Sequence, residues 1–256
     1  MNRREGILCY VVAVCVLMGA FIVKAADSRN GSWTIQRAEK AGEVELALME
    51  RHHGGNSNHE TDIRASELKG LDLSKSGKQD VHFTIVRDAG RFECEGYIKD
   101  GEGAGVFHFF AEPGYAQEMK ALGFNDIESD KQFSMALMDV SAVFAKQMKA
   151  EGLNGLNTDQ LIAFRIFHVN PEFVEALRKE GLAAKDSDKL VAFRIHGVSP
   201  EMVRALRQSG YSPSEDTLVA MRIHGVTPEF VSNLRARGMK DLTIDQLVNL
   251  RIHGID

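Results

Sequence analysis

Cysteine is nearly missing from this chain of 256 residues: there are three, and two of them, Cys9 and Cys15, fall in the first 25 residues. Cys94 is left as a lone thiol, which excludes an internal disulfide and any cysteine-based metal site in the remainder. There is no excess of positive charge. Without residues 1–25, 28 basic and 35 acidic residues remain, a net of −7. Nucleic acid and anionic membrane surfaces both require concentrated positive charge, so neither is an expected partner. No H-E-x-x-H occurs, and His59-Glu60 lacks a second histidine at the required place. No G-x-S-x-G occurs either, so neither zinc-peptidase nor nucleophile-elbow chemistry has its residues. Gly101-Glu102-Gly103-Ala104-Gly105 is glycine-rich but joins two strands and opens no helix, so it lacks the geometry of a phosphate loop. Cys94 alternates with Phe92 in a strand pattern and reads as a small buried hydrophobe.

Long apolar runs are also scarce. One spans Ile7–Val23 behind Arg3 and Arg4, with Val23-Lys24-Ala25 suited to cleavage. It reads as a secretory signal peptide over residues 1–25, or, uncleaved, as an inner-membrane anchor over 7–23 near the lower length limit of a span. Export places the rest in a bacterial periplasm or outside the cell, with a membrane reached only through that segment.

Proline is scarce too, with five residues, but three of them are informative. Pro171, Pro200 and Pro228 are 29 and 28 residues apart. They sit in the recurring stretch Arg194-Ile195-His196-Gly197-Val198-Ser199-Pro200-Glu201, which returns as Arg222 to Glu229, begins again at Arg251-Ile252-His253-Gly254, and is looser from Arg165 to Phe173. A period of this size belongs to helical solenoids. One helix of each unit starts at the proline, with Asn170, Ser199 or Thr227 as N-cap and Glu172, Glu201 or Glu229 in the first turn against the helix dipole. Gly181, Gly210 and Gly238 stand at C′. Its apolar face is Phe173, Val174, Leu177, then Met202, Val203, Leu206, then Phe230, Val231, Leu234. The other helix starts near Asn157, Asp186, Ser214 and Thr243, with glutamines completing capping boxes at Asn157 and Thr243. Leu161-Ile162, Leu190-Val191, Leu218-Val219 and Leu247-Val248 are expected to be its apolar face. Degenerate copies begin at Pro113 and Ala142, giving five helix pairs over residues 113–256. The last unit is expected to fray or to meet another molecule.

Residues 30–112 carry strand periodicity instead. Val44, Leu46 and Leu48 alternate, as do Val81, Phe83 and Ile85, and Phe92 with Cys94. Asp88-Ala89-Gly90 and Asp100–Gly103 are tight connections, so 81–111 is an antiparallel meander. Trp33 and Ile35 mark an earlier strand, and 62–65 a weaker one. Residues 54–58 and 72–80 read as loops. The fold class is α+β: an antiparallel β domain over 30–112, then a short α-solenoid over 113–256.

The R-I-H-G-V-x-P-E-F repeat, the preceding tryptophan-containing sheet and the Arg87-Asp88-Ala89-Gly90-Arg91-Phe92 hairpin together resemble the exported C-terminal regions of some BlaR-type antirepressor membrane metallopeptidases and their stand-alone relatives. The resemblance covers about residues 32–256 and omits the peptidase, so no catalytic residue carries over. It implies an extracytoplasmic sensing or interaction module.

The repeated charges are the candidate sites. Arg165, Arg194, Arg222 and Arg251 lie four residues after the leading leucine, on the apolar face. A cation there needs a partner, and a glutamate seven residues on supplies one: Arg165 with Glu172, Arg194 with Glu201, Arg222 with Glu229. If Glu229 is buried, Arg222→Ala loses about 3–5 kcal/mol. The alternative is a row of guanidiniums facing a carboxylate ligand, and Arg251, which has no such glutamate, is the one expected to be free. His196, His224 and His253 follow helix C-termini, roughly 10 Å apart, too far to share a metal held at about 2 Å. His52, His53 and His59 flank a Gly/Asn loop and read as a hairpin tip. No cofactor or metal is implied. The expectation is a non-enzymatic, exported interaction module that binds a protein or envelope component. The alternative is a sensor that uses the β region as a small-molecule pocket.

Overall fold

The computed structural model describes residues 29–52 and 55–254. Six strands, β1 (Arg29–Arg37), β2 (Glu43–His52), β3 (Gly55–Arg64), β4 (Lys78–Arg87), β5 (Gly90–Lys99) and β6 (Glu102–Ala111), form one antiparallel sheet in the order β3-β2-β1-β6-β5-β4. The expected meander is β4–β6. A second one, β1–β3, joins it through the pairing of β1 with β6. Residues 55–58 and 78–80 are strand rather than loop. Asn58 pairs with Met49 and Asn56 with Arg51, while Asp80 pairs with Tyr97. There the hydrogen-bond ladder outweighs the weak strand preference of glycine, asparagine and aspartate.

The connection from β3 to β4 forces the sheet to curl. Lys69 exchanges both backbone hydrogen bonds with Thr84 in β4, each 2.9 Å. Five residues from Arg64 to Lys69 reach at most about 17 Å. In a flat sheet, β3 and the position outside β4 would be six spacings apart, about 29 Å. The sheet therefore bends toward closure, and its inner face is a packed core. Trp33, Leu46, Leu48, Phe83, Phe92, Cys94 and Phe107 are all fully buried. The Trp33 ring meets Phe83 edge-on at 5.2 Å, and its indole N–H donates to the Glu95 carbonyl at 3.1 Å.

Ten helices follow: α1 (Tyr115–Ala121), α2 (Ser129–Leu137), α3 (Ala142–Ala150), α4 (Thr158–Ile166), α5 (Pro171–Lys179), α6 (Ser187–His196), α7 (Pro200–Gln208), α8 (Glu215–Ile223), α9 (Pro228–Ala236) and α10 (Ile244–Ile252). From α3 onward each begins at a side-chain cap. Ser141, Asn157, Asn170, Asp186, Ser199, Ser214, Thr227 and Thr243 all accept the N–H of the third residue after them. The reciprocal capping box forms at Thr243 with Gln246. At Asn157 it is half made, because the Gln160 amide turns away to Asp188. The buried faces of α5, α7 and α9 are the expected ones. On α4, α6 and α8 the buried apolar residues are Leu161 with Phe164, Leu190 with Phe193, and Leu218 with Met221. Ile162, Val191, Val219 and Val248 are only partly buried, since the neighbouring helices cover the i, i+3 edge and not the i, i+1 pair. Consecutive helices of like type pack together: α1 on α3, α5 on α7 on α9, and α4 on α6 on α8.

Left-handed turns close the helices. Gly181, Gly210 and Gly238 take φ of 79°, 79° and 92°, and Gly197, Gly225 and Gly254 do the same for the other type. Earlier in the chain, Asp139 and His168 occupy that conformation at φ of 53° and 55°. A Cβ there costs roughly 1–2 kcal/mol. Replacing His168 with glycine is expected to raise stability by about 0.5–1 kcal/mol after the added freedom of the unfolded chain is deducted. Asp139→Gly is expected to act in the opposite direction, because Asp139 holds Arg165 and Arg87. Thermal melts of the two variants side by side check both signs.

The helical half is fixed to the sheet by α2. Phe133 is buried among Phe92, Phe107 and Phe109, with ring centroids at 5.5, 6.1 and 5.1 Å. Gln132 donates to the Ala89 and Glu112 carbonyls, both at 2.8 Å, and so joins α2 to the β4–β5 turn and the end of β6. Arg29 lies over Phe133 and donates to buried Glu50 at 2.8 Å. The hydrophobic core is continuous from Trp33 to Leu247. Among the described residues, no helix is long and apolar enough to cross a membrane. The Ile7–Val23 run lies outside the described residues, as do His53 and the last two residues.

Candidate functional site

Arg165, Arg194 and Arg222 do not pair with the glutamates seven residues on. Each of the four, Arg251 included, reaches back across 26 or 27 residues to the end of an earlier helix. Arg165 donates to the Met138 carbonyl at 3.0 Å and pairs with Asp139 at 2.5 Å. Arg194 donates to the His168 carbonyl at 2.7 Å, Arg222 to His196 at 2.8 Å and Arg251 to Gly225 at 3.0 Å. Those carbonyls are the unpaired ones at the ends of α2, α4, α6 and α8, where the helix dipole is negative and a cation is favoured. Three guanidiniums also lie over an aromatic ring of the preceding helix: Arg165 on Phe144, Arg194 on Phe173 and Arg251 on Phe230. Met202 stands at the matching place beneath Arg222. Arg251, expected to be free, is therefore held like the others.

The glutamates are occupied locally. Glu201 and Glu229 are exposed, and each is held below the ordinary carboxylate range first by its own backbone N–H, then by the cap hydroxyl of Ser199 or Thr227. Arg194 and Arg222 add only a weaker attraction. Burial pulls the Arg194 guanidinium below its usual value, with Glu201 opposing. Because Glu229 is exposed, the expected cost of Arg222→Ala falls from that of a stranded buried charge to that of one charged hydrogen bond, about 1.5–3 kcal/mol. Chemical denaturation of the variant measures it directly.

A second row of cations was not read from the sequence. Lys149, Arg178, Arg207 and Arg235 reach the ends of α1, α3, α5 and α7 by donating to the carbonyls of Leu122, Glu151, Gly181 and Ser209. Arg178 also pairs with Glu151 at 2.6 Å. Their recurrence at the repeat spacing was the available signal. The helices α1 to α8 thus each end under a basic side chain from a later helix.

The recurring prolines open α5, α7 and α9 as expected. The structure does not bring His196, His224 and His253 together: each stands at the end of its own helix, and the backbone carbonyl of His196 does the bonding. His59 lies in β3, half-buried, with its ring 5.6 Å from Phe133, so it stands against α2 rather than at a hairpin tip. Cys94 is buried, and desolvation pushes its thiol up to about 12.

What the recurring segment exposes is its isoleucine. Ile166, Ile195, Ile223 and Ile252 are 47%, 54%, 58% and 57% exposed, one at the end of each of α4, α6, α8 and α10. Single exposed apolar residues are ordinary; a row at one structural position is not.

Beside Ile166 is a recess of about 980 Å³ between the β1–β2 turn, the end of β3 and the ends of α2 and α4. Its floor is a chain of alternating charges. Glu67 accepts from Arg64 at 2.7 Å and from Arg87, and Asp139 accepts from Arg165 and lies 3.4 Å from Arg87. Burial alone would push the Glu67 carboxyl up, but hydrogen bonds from Arg64 and Arg87 hold it below its ordinary value. These three arginines and two carboxylates offset one another in part and tie the sheet to α4. The walls mix charged side chains with apolar ones such as Leu137, Phe144 and Ile166, while the inner face of the sheet is filled by aromatic rings, so the space open to a ligand is at the rim. Compared with family models, with curated proteins and with solved structures, the chain matches none.

Proposed function

We propose that this is a non-enzymatic, exported interaction module, in which the helical half is a short solenoid of five helix pairs that presents a binding face to another protein of the envelope. The sequence period, the like-on-like helix packing and the arginines that reach one unit back support the solenoid. The N-terminal apolar run supports export. The observation that carries the binding role is the row Ile166, Ile195, Ile223 and Ile252, aliphatic groups kept in water at one position of successive units. Repetition for packing alone would bury them.

Photo-cross-linking side chains placed at Ile195 and Ile223 of the full chain in producing cells test this. A discrete protein adduct is expected at both positions, and none at Tyr97 on the outer face of the sheet. Absence of any adduct at Ile195 and Ile223 would sink the reading. A second reading, a sensor of a small polar ligand, rests on the recess of about 980 Å³. It requires a charged compound that raises the melting temperature of the full chain but not that of an Arg37→Ala variant.

A further inference from the structure

The helices that carry the isoleucines carry more than one row. Positions i, i+3 and i+7 of a helix share a face. In α4 these are Asp159, Ile162 and Ile166; in α6, Asp188, Val191 and Ile195; in α8, Asp216, Val219 and Ile223; in α10, Asp245, Val248 and Ile252. All four aspartates are exposed, the four middle residues half-buried and the four isoleucines exposed. The rows are aligned because α4, α6 and α8 are each tied to the preceding helix of their type near both ends, and α10 near its end. At the start, Lys131 pairs with Asp159, the Gln160 amide donates to Asp188, and Lys189 pairs with Asp216 at 2.8 Å. At the finish, Arg194, Arg222 and Arg251 bond the preceding helix. The pairing with lysine does not cover the acids: the side chains of Asp159 and Asp216 remain 74% and 84% exposed.

We infer that this face receives a cationic amphipathic helix whose aliphatic residues recur every seven positions and which lies across α4, α6, α8 and α10. The inference rests on the interaction reading above and names the chemistry of the partner. Packed helices are about 8–10 Å apart, and seven residues of an α-helix rise about 10.5 Å. A crossing helix with a seven-residue aliphatic period therefore places one side chain on each unit's Ile and Val pair. Four units span about 30 Å, the length of about 20 helical residues. An extended strand does not fit, because residues three apart, which match the same spacing, point to opposite faces. The sign of the partner's charge follows from the aspartate row and from a chain that carries −5 overall. Lysines or arginines along one flank of the crossing helix meet the exposed carboxylates, whereas an acidic helix or an anionic bilayer is repelled.

Three synthetic peptides of about 22 residues test the inference by fluorescence anisotropy with the full chain. One has leucine at every seventh position flanked by lysine. The second has the same composition with the leucine period broken, and the third has glutamate for lysine. The first is expected to bind at least tenfold more tightly than either other peptide, and to lose at least tenfold on the double variant Ile195→Ser/Ile223→Ser. Both side chains are exposed, so the melting temperature of that variant is expected to stay close to the original. A Val143→Ser variant, exposed on a different helix face, is expected to bind normally. Equal binding of the period-broken peptide reduces the effect to charge attraction and overturns the inference, as does unchanged affinity of the double variant. So does comparable binding to phosphatidylglycerol vesicles through the same residues. Cross-links at Ile195 without peptide binding reject the cationic helix while leaving the interaction reading intact. Failure of both rejects the two together.

Discussion

Replacing Phe133 with alanine is expected to lower stability by about 3–5 kcal/mol, the range for removing a fully buried aromatic ring. Phe133 is 1% exposed and sits against three other phenylalanines from β5 and β6. No adjacent chain can collapse into the space, because the ladder of β5 and β6 fixes the three rings around it. The consequence reaches beyond a cavity. Phe133 is the principal apolar group that α2 inserts into the sheet, so its loss weakens the joint between the two halves as well as the core. Trp33 is the chain's single tryptophan and lies within the sheet, while helical circular dichroism reports α1–α10. In the original protein the two signals are expected to report one transition in urea, since the core is continuous. In Phe133→Ala they are expected to separate. Coincident transitions with a loss below about 1 kcal/mol would mean that α2 is not the fastening.

Gly105→Ala is expected to cost about 3 kcal/mol or more, at or beyond the upper end of overpacking. Gly105 in β6 faces Gly96 in β5, and a Cβ on Gly105 would fall 1.9 Å from the Glu95 carbonyl oxygen. That oxygen is the acceptor of the Trp33 indole N–H, so the new methyl group cannot displace it without breaking a buried hydrogen bond. The two strands approach closely here because the sheet has to bend, and only a residue without a side chain permits it. A matched change at Gly114 is the control. There the nearest atom to a built Cβ is the Glu112 carboxylate at 4.0 Å and φ is ordinary, so Gly114→Ala is expected to cost less than about 1 kcal/mol. Equal effects of the two substitutions would reject the close crossing.

Much of the helical half was legible because the rules involved are local. A cap residue, a proline and a first-turn glutamate lie within three positions of one another, and a glycine ends the helix within one turn. Hence Asn170, Ser199, Thr227, Gly181, Gly210 and Gly238 all take the roles expected of them. The partners of the arginines were not legible. Arg222 and His196 are 26 residues apart, and no local rule selects a carbonyl one unit back over a carboxylate seven residues on. The candidate face was obscured for a related reason. Leu-Val and Leu-Ile pairs look equally apolar, and only the packing of α4 on α6 and α8 shows which member is covered. In the sheet, alternation located the strands but not the curl, which depends on the reach of the link from Arg64 to Lys69. The run of Gly55 to Asn58 has poor strand character and is strand solely because β2 lies beside it.

The backward reach of every basic cap imposes an order in time. Each unit exposes unsatisfied carbonyls until the side chain that covers them, some 27 residues later, has been made. As the polypeptide is made from its N-terminus, the sheet and α2 can settle first, and every later helix caps one already in place. A newly emerged helix can dock before its own end is sealed, and the arginine of the next helix of its type then completes that end. Pulled from the C-terminus, the chain should yield from α10 backwards, with the sheet the last to open.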